Sequence, residues 1–461
     1  MSIKNGKRGE TGLRRYTRKT LLKLADTLEE AHSLIRQETD KGNADSVISL
    51  LEQCQKCAVT IGESIEASEG EGTKAVKQLE DYCEGLYNIS EEVREQRSNS
   101  IKISKWLQKT LISIKNSITY DIPETLETVF LPYKASMWDS LESVWRKASE
   151  ADDTEAYVIP IPYYDRNSDG SFGEEHYEGN DYPEDVPVTD YRKYDFETRH
   201  PDRIYIHNPY DGNNFVTSVH PFFYSKNLKK YTDELIYIPY FVLSDPDPDN
   251  EAVLEGISHF VVVPAVINAD KVIVQSENMR EAYVKIMTRE TGDHSRQYWE
   301  EKISGEGSPK FDKVSNTRKE DLKIPEEWER LINKSDGSRR KIIFYNTSVQ
   351  ALLDNDVKML DKIESALKLF RENREEVTLL WRPHPLIKAT ISSMRPALWE
   401  RYSKIVEDYR SAGWGIYDDS PDIDRAIILS DAYFGDHSSV VELYKKTGKP
   451  IMIQNPEIIN A

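Results

Sequence analysis

Cysteine and long apolar runs are scarce in this chain, and its 61 basic residues are outnumbered by 80 acidic ones. With 3 cysteines in 461 residues, the sequence excludes a disulfide scaffold and fits a reducing compartment. The net charge of -19 excludes wholesale nucleic-acid binding, which needs a basic surface. No apolar run approaches the ~20 residues that span a membrane, and no signal-peptide core follows the start. The sequence therefore predicts a cytoplasmic globular protein that binds no nucleic acid.

Aromatic residues compensate for a low overall apolar content. Only 38% of residues are hydrophobic, but 8 Trp, 26 Tyr and 12 Phe supply enough apolar surface to fold. The length predicts two or three domains. Charge is uneven, since residues 1–23 are basic whereas residues 165–190 and 244–251 are acidic. The acidic runs are typical of solvated loops, and the basic start is either a solvated terminus or a contact with an anionic membrane surface.

Residues 1–118 show the apolar spacing of helices that pack as an antiparallel bundle. Apolar residues recur at three and four positions, with short polar breaks at "DKGNADS" and "ASEGEGT". Cys54 and Cys57 form a CxxC, but both lie on such a stripe and no second ligand pair follows, so we interpret them as core residues. Cys83 has the same spacing. The bundle carries no recognisable chemistry and could pair with another subunit.

Residues 119–300 alternate strands with helices. We predict strands at 127–133, 155–165, 202–211 and 233–242, a helix at 134–150, and a strand and helix within 268–287. Residues 301–340 are charged, and Gly307 and Pro309 mark a hinge-like connection. The alternation then restarts over 341–461, with strands at 341–348, 377–385, 414–419 and 426–439 and helices at 355–370 and 399–412. Two α/β units with doubly wound parallel sheets, joined by a hinge, imply a cleft beyond the carboxyl ends of their strands.

Candidate binding residues follow the strands of the second unit. Ser438 and Ser439 fall at the start of the helix "SSVVELYKKTG", where free N–H groups can hold a phosphate, and Gly435 lets the backbone approach closely. An ordinary N-cap is the alternative for the two serines. In "RPHP", Arg382 can clamp a phosphate and His384 can act as acid, base or donor; the alternative for His384 is a loop residue held by two prolines.

Two residues of the first unit are candidates for the opposite wall of the cleft. His259, in "GISHFVVVPA", is either a packing residue or a base that faces the second unit. Lys134, at the first strand-to-helix turn, could meet an anion, although an exposed turn lysine is the default interpretation.

Together "WRPHP", "SDAYFGDHSSVVELYKKTGKPIMI" and "GSPKFD" resemble the CDP-glycerol glycerophosphotransferase family, which builds polyol-phosphate polymers such as teichoic acids. The resemblance is specific for residues 300–452, looser over 125–290 and absent from the bundle. The family's Gly-x-Pro-[Arg/Lys]-x-Asp element is matched in the connection, its His-Pro follows a strand, and its Asp-x-Ser-Ser opens a helix. The matching residues are Gly307, Pro309, Lys310, Asp312, His384, Pro385, Asp436, Ser438 and Ser439.

The resemblance implies a GT-B fold, in which two Rossmann-like domains face a cleft. It implies that Ser438 and Ser439 hold the donor diphosphate, beside Gly435 and Asp436, and that Arg382 and His384 stabilise the phosphate under attack or the leaving nucleotide. It places Pro309, Lys310 and Asp312 at the hinge and cleft. Family members carry a His-Gly-Thr whose His is the proposed base; the nearest counterpart here is His259, followed by Phe260. The chain also ends soon after residues 450–454, before the last helix usual in GT-B enzymes, as in a truncated chain or a shorter branch.

The implied activity is transfer of glycerol phosphate, or a similar polyol phosphate, from a CDP-linked donor to a hydroxyl acceptor, with release of CMP. The acceptor would be a polyol phosphate or a glycan, which can be lipid-linked at the inner membrane face. No cofactor is required by the sequence, although Mg²⁺ could accompany the diphosphate. One alternative is a GT-B glycosyltransferase or epimerase-like enzyme that uses a UDP-sugar. Another is a non-catalytic scaffold in a surface-polymer complex, whose working part is the helical bundle.

Overall fold

Two parallel β-sheets, a small antiparallel sheet and a helical bundle make up the chain. The structure is a computed structural model that describes residues 12–167, 169–420 and 422–454; the first eleven residues of the basic start and the residues after 454 lie outside it. The strands are β1 (Leu13–Arg14), β2 (Glu124–Leu131), β3 (Thr154–Val158), β4 (Tyr163–Arg166), β5 (Phe172–His176), β6 (Arg203–Ile206), β7 (Thr217–Val219), β8 (Glu234–Tyr237), β9 (Lys271–Ile273), β10 (Ile303–Ser304), β11 (Lys341–Thr347), β12 (Val377–Pro383), β13 (Ile416–Tyr417), β14 (Ala432–Gly435) and β15 (Ile451–Ile453).

The helices pack around these sheets and connect their strands. In chain order they are α1 (Arg15–Asp40), α2 (Ala44–Glu69), α3 (Lys74–Arg94), α4 (Ser100–Tyr120), α5 (Glu142–Glu150), α6 (Phe196–Arg199), α7 (Ser225–Leu228), α8 (Glu251–Val261), α9 (Pro264–Asn268), α10 (Glu277–Thr291), α11 (Arg296–Lys302), α12 (Pro309–Asn316), α13 (Glu326–Ile332), α14 (Val349–Glu372), α15 (Ile387–Met394), α16 (Pro396–Ala412), α17 (Ile423–Leu429) and α18 (Ser439–Lys445). Within the described ranges, no helix is both long enough and apolar enough to cross a bilayer.

Helices α1–α4 form the bundle that the apolar spacing predicts. Their buried faces share one core, in which Cys54 is 1% exposed and Cys57 and Cys83 are half-buried at the edge. Burial raises the pKa of Cys54 to about 11, so its thiol stays protonated, and the core interpretation of the CxxC is confirmed. The bundle does not simply precede the first sheet, because strand β1 comes before it and pairs with the start of β2.

The first sheet is parallel, with the strand order β1-β2-β6-β8-β9-β10 and with β3 also paired to β2. The predicted strand at 155–165 is wrong in extent, since β3 ends at Val158 and the chain then enters the antiparallel sheet β5-β4-β7. Residues 159–162 contain two prolines, which cannot donate to a ladder and so separate the two strands. The predicted helix at 134–150 is likewise divided into a 3₁₀ helix, Ala135–Ser140, and α5.

The second sheet is also parallel, with the order β13-β12-β11-β14-β15, and large aromatic side chains such as Trp381 and Tyr345 are fully buried against it. The predicted strand at 426–439 is wrong in its first part, because Ala426–Leu429 end helix α17 and the strand is only β14. An apolar run of this length suits either element, and only the buried packing of α17 decides between them. The parallel sheets of the two α/β units and the helical bundle agree with the predicted fold class.

The connection predicted as a hinge is structured. Its first residues form β10, the edge strand of the first sheet, and α12 then packs against α5 and the 3₁₀ helix of the first unit and against α17 and α18 of the second. Because α12 touches both units, it lies where they meet.

Candidate active site

The predicted donor-site residues meet at the carboxyl ends of β11, β12 and β14. Asn346, near the end of the central strand β11, is in register with Arg382 on one side and Gly435 on the other. Its Nδ2 donates to the Arg382 carbonyl oxygen at 2.9 Å, and its Oδ1 accepts from Ser438 Oγ at 3.1 Å. Asn346, which sequence reasoning missed, therefore links the Arg-Pro-His-Pro loop to the Asp-x-Ser-Ser loop.

Gly435 is required by the neighbouring strand. Its φ is +144°, and a Cβ at this position would lie 2.2 Å from the carbonyl oxygen of Asn346. A side chain would therefore push β14 away from β11. The close approach predicted at this glycine exists, but the group that approaches is protein backbone.

Arg382 is not free to clamp a phosphate in this structure. The residue is 5% exposed, its Nη1 lies 2.7 Å from Asp418 Oδ2, and its Nη2 donates to the carbonyl oxygen of Ser420 at 2.6 Å. A guanidinium held on two sides by a buried carboxylate and a carbonyl acts first as a support for the loop. Its charge still contributes to the potential around His384.

Both carboxylate oxygens of Asp436, which the resemblance places beside the diphosphate, have partners within the protein. Its Oδ1 accepts from Lys362 Nζ at 2.6 Å and its Oδ2 accepts from the Ser348 backbone N–H at 2.7 Å. Lys362 is fully buried and also donates to the Gln454 carbonyl oxygen at 2.6 Å. The signal that could have found Lys362 is a lysine within the apolar face of α14, between Met359 and Ile363.

His384 keeps one ring nitrogen for a ligand. Its Nδ1 accepts from the Leu386 backbone N–H at 3.2 Å, so in the neutral ring Nε2 carries the proton and can donate it in a hydrogen bond. Partial desolvation of the ring, together with the nearby Arg382 charge, lowers its pKa, which favours this neutral form at pH 7. His384 and Arg382 line a cavity of about 790 Å³, together with Lys388, Tyr417 and Asp418.

The two serines remain accessible. Ser438 is the N-cap of α18, as predicted, and it is half-buried because its hydroxyl reaches Asn346. Ser439 is the first residue of the helix and is exposed. The hydroxyl of Ser439 and the N–H groups of this first turn are thus polar groups at the end of β14 that a ligand could use.

The two candidates of the first unit, His259 and Lys134, differ in their surroundings. His259 is exposed on helix α8 and its ring stacks on the adjacent Phe260, so its interpretation as a packing residue is wrong. Lys134 places its ammonium over the Tyr163 ring, 4.8 Å from the centroid.

Sequence reasoning missed His207, which is fully buried: its Nε2 accepts from the Tyr133 N–H and its Nδ1 lies 2.8 Å from Ser140 Oγ. Burial lowers its pKa to about 3.

The Gly-x-Pro-Lys-x-Asp element attaches α12 to the first unit. Pro309 is the first residue of the helix, Lys310 pairs with the buried Asp139, and Asp312 Oδ2 accepts from Ser143 Oγ at 2.7 Å. The next lysine, Lys313, lies 2.8 Å from Glu142. These contacts border a cleft of about 670 Å³ between the two units.

One group of side chains in the described part of the chain could hold a metal ion. Asp165, Glu174 and His176 place their ligand atoms within 4.8 Å of one another on β4 and β5. Both carboxylates are exposed, and the imidazole is already 3.0 Å from Asp165. The group lies on the antiparallel sheet, outside the donor-site loops.

Comparison with known proteins supports the family suggested by these loops. Residues 262–460 match the sequence model described as CDP-glycerol:poly(glycerophosphate) glycerophosphotransferase. No curated protein matches the chain in sequence.

Several solved structures are similar to the chain at low sequence identity. S. aureus MnaA with UDP is 11% identical, with a TM-score of 0.41 over 71% of this chain and 79% of that one. A UDP-N-acetylglucosamine 2-epimerase described as putative, from Listeria monocytogenes, is 15% identical, with a TM-score of 0.40 over 72% and 81%. The wall teichoic acid polymerase TagF, as its H548A variant, is 13% identical, with a TM-score of 0.37 over 82% and 79%. The match to the CDP-glycerol:poly(glycerophosphate) glycerophosphotransferase model covers all the donor-site loops, so the second α/β unit is similar in sequence to that family over residues 262–460.

Proposed function

We propose that this protein transfers glycerol phosphate, or a similar polyol phosphate, from a CDP-linked donor to a hydroxyl acceptor and releases CMP, in the synthesis of a teichoic-acid-like polymer. The observation that carries the proposal is the family match over residues 262–460, which includes every loop at the carboxyl ends of β11, β12 and β14. Ligands of doubly wound sheets bind at this edge.

The nucleotide would occupy the cavity beside the Arg-Pro-His-Pro loop. Its volume of about 790 Å³ falls within the usual range for small-molecule sites, and Tyr417 offers an aromatic face for a base. Ser438, Ser439 and the first-turn N–H groups of α18 would hold the diphosphate, and His384 Nε2 would donate to an oxygen of the phosphate under attack. Such oriented donors act mainly by stabilising charge that develops in the transition state.

Arg382 and Asp436 would serve this site indirectly. Arg382 holds the loop after β13 through Asp418, and Asp436 holds the loop after β11 through Ser348. Preorganised donors need such support, because a small misplacement of a reacting group costs rate. Mg²⁺ on the diphosphate remains compatible with the proposal.

The first test is release of CMP from CDP-glycerol in the presence of a short poly(glycerol phosphate) oligomer, followed by chromatography. We expect His384→Ala to lower kcat by about 10²-fold, the usual effect of losing one oriented donor. His294→Ala is the matched control, because His294 is an exposed histidine of the first unit. Wild-type kcat/KM in His384→Ala would contradict the role given to His384.

A thermal-shift panel separates this function from its alternatives. CDP-glycerol, CDP-ribitol and CMP should raise the melting temperature, because a ligand that binds only the folded state stabilises it by mass action. Ser438→Ala should reduce that shift. Stabilisation by UDP-N-acetylglucosamine and UMP instead would favour a UDP-sugar enzyme, and no shift with any of the five would favour a scaffold.

The proposal also includes expectations about the acceptor, about contact with the membrane and about the oligomeric state. We expect the enzyme to act in the cytoplasm on an acceptor that can be lipid-linked, with the basic start near the inner membrane face and with self-association through α1–α4. Sedimentation of the protein with anionic vesicles would test the membrane contact, and the mass of the protein in solution would test the self-association.

A further inference from the structure

The cleft between the two α/β units is lined mainly by carboxylates. Its volume is about 670 Å³, and it lies beside the carboxyl end of β2 on one side and the start of α17 on the other. Its described lining includes a single lysine, Lys313, and the following acidic residues: Asp139, Glu142, Glu178, Asp181, Asp422 and Asp424. A phosphate would be repelled by this wall, whereas carboxylates readily accept hydrogen bonds from hydroxyl groups.

Two of these carboxylates are buried and have an oxygen without a partner. Asp424 is 6% exposed, and its Oδ1 has no hydrogen-bond partner among the described residues. Asp139 is 8% exposed; Lys310 donates to its Oδ2, but its Oδ1 is also unpartnered within the described ranges. The indole N–H of Trp138, another residue of the cleft lining, also lacks a partner in the part of the chain that the structure describes. Buried polar groups are normally hydrogen-bonded, so unpartnered groups on residues that line a cleft point to a ligand that supplies the missing bonds.

The charges around Asp424 come from both units. Burial is the main cause that raises its pKa to about 7, and repulsion from Asp139 across the cleft and from Asp422, the N-cap of its own helix, adds to it. Lys310 and Lys313, on α12, partly offset this increase. A carboxylate with these neighbours can both lose and accept a proton near neutral pH.

We propose that this acidic cleft binds the hydroxyl-bearing acceptor and that Asp424 is the general base of the transfer, with Asp139 holding a neighbouring hydroxyl of the acceptor. The inference rests on the proposed function and deepens it. The proton of the attacking hydroxyl moves to the Asp424 carboxylate as the acceptor oxygen forms a bond to the polyol-bearing phosphorus of the donor. The bond between that phosphorus and the bridging oxygen breaks, CMP leaves with the bridging oxygen, and Asp424 returns the proton to water.

This assignment fills a position that the first unit leaves open. His259, the nearest counterpart of the family's histidine, is exposed on α8 and does not line the cleft. Asp424 stands at the start of α17, directly after the loop that follows β13, and Asp418, Asp419 and Ser420 of that loop line the nucleotide cavity. Donor and acceptor would then occupy adjoining cavities at the same edge of the second sheet.

The test is the kinetics of Asp424→Asn, which keeps the shape of the side chain but cannot take a proton. With CDP-glycerol and a poly(glycerol phosphate) oligomer, we expect kcat to fall by about 10²–10⁴-fold, the range for loss of a general base. The acidic limb of the kcat profile should disappear, while the thermal shift with CMP stays at the wild-type value. Asp408→Asn, an exposed aspartate on α16, is the matched control.

A second variant keeps the proposal falsifiable if Asp424→Asn folds poorly. Asp139→Asn removes a like charge, so the acidic limb should move to lower pH, and the KM for the oligomer should rise while the KM for CDP-glycerol is unchanged. An Asp424→Asn enzyme with kcat within threefold of wild type, or an acidic limb unmoved in Asp139→Asn, would overturn the inference. Failure of the wild type itself to release CMP, with any acceptor, would instead overturn the proposed function.

Discussion

The buried pair of Lys362 and Asp436 offers a sharp test of how the donor site is supported. Lys362 is fully buried and Asp436 is 4% exposed, and Lys362 is the only side chain among the described residues that donates to this carboxylate. In Lys362→Met, the carboxylate keeps only the Ser348 N–H, and the Gln454 carbonyl oxygen loses its lysine donor. Removing one partner of a buried ion pair typically costs about 3–5 kcal/mol, because the other charge remains without compensation.

We therefore expect Lys362→Met to lower the free energy of unfolding of the second unit by about 3–5 kcal/mol. The assay is urea unfolding followed by tryptophan fluorescence, for which the buried Trp381 reports on this sheet. Because a chain with more than one unit need not unfold in a single step, the variant and the wild type should be compared only where their transitions have equal m-values. Lys358→Met, an exposed lysine on the same helix, should change stability by less than about 0.5 kcal/mol.

The double variant Lys362→Met/Asp436→Asn distinguishes lost charge compensation from lost packing. Asparagine can still accept from Ser348 but carries no charge, so we expect the double variant to be more stable than Lys362→Met alone. A loss below about 1 kcal/mol in Lys362→Met, or no recovery in the double variant, would refute the reasoning from the buried charge.

Three further predictions concern stability and reactivity. Gly435→Ala should destabilise the second unit by more than about 1 kcal/mol, measured by the same urea transition, because its Cβ would meet the Asn346 carbonyl oxygen; an unchanged midpoint would exclude the clash. Burial lowers the pKa of His207 to about 3, below the ~6.5 of an unfolded histidine, so the stability that the neutral ring contributes is fully present above pH 6.5 and is lost as pH falls towards 3. In His207→Gln the melting temperature should therefore change less between pH 7.5 and 5.5 than in the wild type. An equal change in both proteins would contradict this. Cys54 should resist a thiol reagent until the bundle unfolds, because burial raises its pKa to about 11, and rapid labelling of the native protein would show that it is accessible.

Local patterns predicted the elements that local forces determine. The strand before "RPHP" and the N-cap at Ser438 follow from apolar runs and capping preferences, and both appear in the structure. The run at 426–429 was assigned to the wrong element, because an apolar stretch of that length fits a strand or a buried helix equally well. Its identity depends on packing between α17 and the sheet, which the sequence alone does not show.

The partners of site residues were less predictable than their positions. The pattern placed Arg382 and Asp436 at strand ends, but both side chains meet partners distant in sequence, Asp418 and Lys362. Such pairs depend on which strands are neighbours in the sheet, so the spacing of residues along the chain does not predict them. The sequence also could not predict the oxygens of Asp139 and Asp424 that have no partner among the described residues, because their surroundings depend on how the two units pack together.

The two-residue strand β1 has a consequence for how the bundle is built into the protein. The chain leaves the first sheet at Arg14 and re-enters it at Glu124, and the two points are register neighbours, about 5 Å apart across a pair of strands. Arg14 also forms an ion pair with the buried Glu127 of β2, which fixes the exit to the entrance. The four helices are thus an insertion that is anchored at both ends. A single short linker could replace them without separating β1 from β2. Any movement of the bundle would act first on β2, the strand that ends at the acidic cleft.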